Sequence, residues 1–211
     1  MSSLRQLPVY LSKITQGLQN LITPAIPAEV LDSSAACLVH VSDTPATFYP
    51  VLFRLLKKLR PAVLVHTGDL LDQIKLENNS YLVGCYQEQL ERYLPQLEGM
   101  PVDDIYLVPG NHDDTDILAD TCRRCCLIPP SSLIRFGSFK IGVAHKPQQL
   151  PANADFGLYG HCLDQPTVNS GHPLSGLTKI NLLLENGTLY SMPYPRGINA
   201  ARGLRIRPAK L

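Results

Sequence analysis

The sequence predicts an α/β fold in which two β-sheets pack face to face with helices outside. Short apolar runs alternate with helical stretches through the first half of the chain. The second half is a succession of short β-like runs with little helix between them. Five of the apolar runs end in a polar residue suited to metal binding or proton transfer.

Taken in order, residues 1–34 read as an amphipathic extension. Val9, Leu11, Ile14, Leu18, Leu21 and Ile22 recur at roughly helical spacing, and Pro24 and Pro27 end the pattern. The apolar run 36–42 reads as a strand. A helix is expected over 47–59, with Lys57, Lys58 and Arg60 complementing the negative end of its dipole. A second strand, 62–67, leads to a longer helix over 76–97; a third, 105–109, leads to a short helix over 115–125. Strand, helix, strand, helix, strand argues for parallel pairing. Runs at 133–136, 139–144, 156–160, 180–184 and 189–192 then read as strands, with Gly137-Ser138 and Asn186-Gly187 as tight turns. From Pro195 onward periodicity is lost, so the expected domain is 35–195, followed by a basic tail over 196–211.

Composition narrows the function classes. The chain has 211 residues, 45% of them hydrophobic and 18% charged, which supports a full core and excludes a disordered chain or a polyelectrolyte. The net charge of +1 argues against a dedicated nucleic-acid binder. Arg196, Arg202, Arg205, Arg207 and Lys210 concentrate positive charge at the C-terminal end, where they read as a solvated tail. No signal peptide and no membrane-spanning run are apparent, and the six cysteines read as reduced thiols; the expectation is a cytoplasmic protein without a membrane partner. Cys122-x-x-Cys125 is half of a zinc pattern without a second pair, so packed helix cysteines are the expected reading, with Cys126 beside them.

The strand tips carry the chemistry. They are Asp43, Gly68-Asp69, Gly110-Asn111-His112-Asp113, His145 and Gly160-His161. Parallel strands deliver such tips to one edge of the sheet, where open α/β folds bind ligands. Carboxylates, an amide oxygen and imidazoles together suit Mn²⁺, Fe²⁺ or Zn²⁺ better than Mg²⁺. The glycines before Asp69, Asn111 and His161 permit a sharp backbone exit. His40 and His66 sit within strands and read as core histidines, and His172 as a loop residue that could reach a depleted ligand set.

Gly68-Asp69-Leu70-Leu71-Asp72, Pro109-Gly110-Asn111-His112-Asp113, His145 and Gly160-His161, in that order, resemble the calcineurin-like metallophosphoesterase superfamily over about residues 36–193. The resemblance implies a four-layer α/β/β/α sandwich of two mixed sheets flanked by helices. It implies that Asp69 bridges two metals and that Asn111, His145 and His161 hold one of them. It further implies hydrolysis of a phosphomonoester or phosphodiester by metal-activated water, with His112 assisting the leaving group. A nucleic acid would enter only as a phosphodiester substrate. Asp72 and Asp113 would orient the ligating residues.

Two positions depart from the family pattern. Asp43 is present, but Pro45 and Leu163 stand where the second metal's histidines belong. The expectation is one well-held ion and a second, weakly held one at Asp43. A phosphoesterase-fold scaffold without turnover is the alternative that these two departures raise.

Overall fold

The computed structural model describes residues 24–163 and 171–204. The proposed N-terminal helix and Arg205, Arg207 and Lys210 lie outside the described residues. A short helix α1 (Ala28–Leu31) precedes β1 (Cys37–Val41), and α2 (Tyr49–Leu59) connects it to β2 (Val63–His66). Helix α3 (Val83–Glu98) leads to β3 (Asp104–Leu107), and α4 (Thr115–Thr121) to β4 (Cys126–Leu127). Then come β5 (Ser132–Phe136), β6 (Phe139–Val143), β7 (Phe156–Tyr159), β8 (His172–Ser175), β9 (Lys179–Leu184), β10 (Leu189–Pro193) and a final short helix α5 (Ile198–Ala201).

The strands form two mixed sheets, in the orders β10-β9-β1-β2-β3-β4 and β5-β6-β7-β8. In the first, β1 to β4 run parallel, β9 runs antiparallel to β1, and β10 antiparallel to β9; in the second, β6, β7 and β8 run parallel and β5 antiparallel. This is the expected α/β class with two packed mixed sheets and helices.

Alternation along the strands builds two cores. Val39, Leu64, Leu182 and Leu184 face the helices, where they meet Leu52, Leu55 and Leu56 of α2 and Tyr86, Leu90, Leu94 and Leu97 of α3. The intervening residues Leu38, Val63, Val65 and Leu183 face the second sheet and meet Ile141, Val143, Phe156 and Leu158. Both sheet faces of β1 and β2 are thus apolar, which is why these strands read as continuous hydrophobic runs.

Several elements differ from the sequence expectation, among them β4 and α5, which it did not contain. Helix α3 begins at Val83 rather than near residue 76, because Asn78-Asn79-Ser80 favour turns and the Asn79 amide donates to the carbonyl of Lys75. Helix α4 stops at Thr121. Glu98 Oε1 there accepts the N–H groups of Arg123, Arg124 and Cys125 at 2.8, 2.7 and 3.0 Å, which turns the chain out of the helix and into β4. Residues 172–175, expected in a loop, form β8, an edge strand that tolerates Pro173.

Leu55 has no solvent exposure and sits where α2 meets the first sheet. Leu55→Ala is expected to lower unfolding free energy by about 2–5 kcal/mol, read as a lower denaturant midpoint at unchanged slope. An unchanged midpoint would contradict this packing.

Candidate metal centre

Strands β1, β2, β3, β6 and β7 all point their carboxyl ends at one edge. Backbone bonds lock the exits together: Asp43 N–H donates to Gly68 O (2.9 Å), Thr44 N–H to Asp69 O (2.9 Å) and Gly160 N–H to His145 O (2.9 Å). Asp43, Asp69 and His161 each adopt a left-handed conformation, with φ of 51°, 56° and 67°. That geometry turns each side chain away from its strand direction and toward the common centre.

His145 is the hub. Its Nδ1 lies 2.7 Å from the carbonyl oxygen of Thr67 and therefore carries a proton, so Nε2 is the nitrogen that gains or loses one. Around Nε2 stand Asn111 Oδ1 at 2.9 Å, His161 Nδ1 at 3.2 Å and Asp69 Oδ2 at 3.4 Å. The Asn111 amide is oriented by Glu77, whose Oε2 accepts from Nδ2 at 2.6 Å, so its oxygen faces inward. Asp43 joins Asp69 and His145, with one donor atom from each lying within 4.8 Å of the others.

These groups are acceptors facing acceptors, and a cation resolves the conflict. Asp43 is pushed up to about 7 by burial and by the neighbouring Asp69 charge. His145 would be held neutral by burial alone, but hydrogen bonding and attraction from Asp69, with help from Asp43, push it up to about 9. Burial works against the Asp69 anion as well, yet the His145 contact and the His112 N–H at 2.8 Å hold its carboxyl below the ordinary range. The donor set of carboxylate, amide and imidazoles fits a divalent transition ion.

His112 is buried at the same centre, and Asn111 Nδ2 lies almost equally far from its two ring nitrogens, 3.4 and 3.3 Å. Asp69, Asp72 and His112 form a second group with donor atoms within 4.8 Å. Asp72 pairs with Lys75 through Oδ1, while its buried Oδ2 has no hydrogen-bond partner among the described residues. Asp113 accepts the N–H groups of Asp69 (2.7 Å), Gly110 (2.8 Å) and Leu70 (2.9 Å), tying the β2 and β3 exits together.

The structure therefore brings together Asp43, Asp69, Asn111, His112, His145 and His161. Pro45 is buried at the start of a turn of 3-10 helix and Leu163 is exposed, so neither position offers a donor atom here. His172 does not replace them: it pairs with Phe156 at the start of β7, the opposite end of that strand from His161. His40 and His66 are core residues, both lowered to about 3, mainly by burial. His40 bonds Thr67 and Asn181, and His66 bonds Thr44 and the Gly68 N–H.

Two contributors escaped the sequence reading. Glu77 lies in a stretch that looked helical and carries no motif signal. Arg202, expected in a solvated tail, is instead fully buried. Its guanidinium donates to the carbonyls of Asp43 (2.5 Å), Ser42 (3.0 Å) and Leu177 (2.8 Å) and stacks over Tyr194 at 4.0 Å. The only hint was an isolated arginine among the small residues of 197–203.

With its site geometry in place, the chain belongs to the calcineurin-like phosphoesterase family, whose model matches residues 38–202. Among solved structures it is similar to YfcE, a phosphoesterase from E. coli, at 15% identity over 76% of this chain and 100% of that one, with a TM-score of 0.47. It is also similar to the Pseudomonas putida nuclease MPE, at 15% identity over 73% of this chain and 86% of that one, with a TM-score of 0.36. No curated protein matches the sequence. Among the described residues no helix is long and apolar enough to cross a membrane.

Removing Arg202 strands the buried carbonyls of Asp43 and Leu177, which have no other donor among the described residues, and leaves Ser42 O with the Tyr194 hydroxyl alone at 3.4 Å. Arg202→Ala is expected to cost roughly 3 kcal/mol or more in denaturant unfolding, with Arg202→Lys recovering part of it. Stability unchanged by Arg202→Ala would contradict the clamp.

Proposed function

We propose that the chain is a metal-dependent phosphoric ester hydrolase. Asp69, Asn111, His145 and His161 hold its principal ion, Mn, Fe or Zn, and His112 is the catalytic residue beside it. The supporting observation is the convergence of Asp69, Asn111 and His161 donor atoms on His145 Nε2, where the protein's own groups relieve the crowding by drawing a proton onto His145. When bound, a divalent ion supplies Lewis-acid polarisation of phosphoryl oxygens and acidifies a water nucleophile.

The protein's own groups do the rest. Thr67 O fixes the His145 tautomer, Glu77 turns the Asn111 oxygen inward, and the His112 N–H holds Asp69 in place. In this reading the His112 ring gives a proton to the departing oxygen. Asp43 is the remaining ligand for a second ion, which Pro45 and Leu163 leave weakly held. The same two residues favour a second reading, a phosphoesterase-fold scaffold that binds a partner without turnover.

Elemental analysis joined to an Mn²⁺-supplemented screen of phosphomonoesters and phosphodiesters separates the readings. Turnover is expected, with His112→Ala lowering kcat by ~10²–10⁴ at unchanged metal content. Metal-loaded protein that cleaves no ester would favour the scaffold, and protein that neither binds metal nor cleaves ester would overturn the hydrolase. Asp69→Asn and His145→Ala are each expected to lose the principal ion, read by elemental analysis. Full retention of metal by both variants would place the ion elsewhere.

A further inference from the structure

A second group of donors lies at the far end of the helical layer. Tyr86, near the start of α3, reaches Asp113 at the candidate centre (3.1 Å), whereas Glu98 ends the same helix twelve residues on, about 18 Å along its axis. There Glu98, Cys122 and Cys125 each place one donor atom within 4.8 Å of the other two. All three are half-buried, so the cluster is reachable yet shielded.

We propose that Glu98, Cys122 and Cys125 form a separate binding site for a thiophilic divalent cation, Zn²⁺ by ligand chemistry, with its fourth position open to water. Two thiolates and a carboxylate are a zinc donor set, and three protein ligands are the number an open site uses. A tetrahedral ion with Zn–S bonds of ~2.3 Å spaces its sulfurs roughly 3.8 Å apart, within the separation found here. The hinge between α4 and β4 is already built for it. Glu98 Oε1 takes three consecutive N–H groups from residues 123–125, which fixes the carboxylate and curls the Cys-x-x-Cys loop around it. Arg124 locks the loop from below by donating to the carbonyls of Glu98 (2.8 Å), Val102 (2.9 Å) and Asp103 (3.1 Å).

A purely structural cap would need Glu98 alone. It would leave unexplained two thiols converging on the carboxylate that shapes their loop.

Cobalt(II) added to the reduced full-length protein provides the test, because a thiolate-to-cobalt charge-transfer band reports sulfur ligation and is silent for a centre of carboxylate, amide and imidazole. The band is expected in the wild type, in Cys162→Ser, which removes the thiol nearest the other centre, and in Asp69→Asn. It is expected to vanish in Cys122→Ser/Cys125→Ser and to need roughly tenfold more cobalt in Glu98→Gln, which keeps the N–H acceptor but loses the charge. Should the double variant not fold, Zn²⁺ protection of Cys122 and Cys125 from alkylation in the wild type, mapped by peptide mass, gives the same answer. No band, a band that survives the double variant, or equal alkylation with and without Zn²⁺ would overturn the proposal. So would a Cys122–Cys125 disulfide that takes up no metal after reduction. The outcome at Asp69→Asn keeps this site's fate separate from that of the proposed hydrolase.

Discussion

Buried lone pairs crowded against one another govern this structure. Asp43, Asp69, the Asn111 oxygen and the unprotonated nitrogen of His145 cannot share one pocket unless positive charge joins them. Among the described residues a proton answers that need, and His145 is accordingly drawn toward the imidazolium. The carboxylates are also fed by backbone N–H groups: His161 N–H reaches Asp43 at 3.1 Å and His112 N–H reaches Asp69. Asp113, itself pushed up to about 6 by burial and the Asp69 charge, collects three more from the surrounding loops. Donors used in this way are lost to the sheets, which is a physical reason for strands of only four or five residues at this edge.

The backbone carries the strain of that arrangement. Non-glycine residues held in the left-handed region cost about 1–3 kcal/mol each, and Asp43, Asp69 and His161 all lie there. Glycine plays a different part from the simple one of granting a turn. Gly68 does supply a positive φ, at 96°. Gly110 and Gly160 are needed for room: a Cβ at Gly110 would collide with the Asp69 carboxylate, and one at Gly160 would sit 2.5 Å from Asp43 Oδ2. Close approach of one exit loop to the next carboxylate, more than backbone freedom, makes these positions intolerant of a side chain.

The fold and the polar tips were legible because both depend on local order along the chain. Apolar runs doubly faced by core residues read as strands wherever they lie, and their terminal Asp, Asn and His stand in a fixed sequence. What could not be read depends on contacts remote in sequence. The early end of α4 comes from Glu98, more than twenty residues earlier, capturing N–H groups that a helix would have used. β4 is only two residues long and exists by pairing with β3. β8 carries a proline and gains its identity from β7. Arg202 resembles its solvated neighbours in composition. The packing of α5 against the 3-10 turn Ala46–Phe48 turns it inward to the β1 exit.

That last contact bears on the depleted side of the centre. Residues 42–45 are held from three directions: Arg202 grips the carbonyls of Ser42 and Asp43, the Tyr194 hydroxyl lies 3.4 Å from Ser42 N, and His66 bonds the Thr44 hydroxyl at 2.8 Å. None of these contacts uses the Asp43 carboxylate, so they hold the backbone that carries it whether or not an ion is nearby. A carboxylate anchored this firmly acts by its field as well as by ligation. Its charge raises the preference of His145 for a positive partner, and any cation that displaces the proton there gains from the same attraction. In the proposed hydrolase, with Pro45 and Leu163 in place of donors, that field would strengthen ion binding at Asp69, Asn111, His145 and His161, a physical reason for the fold to bury a second acid beside Asp69.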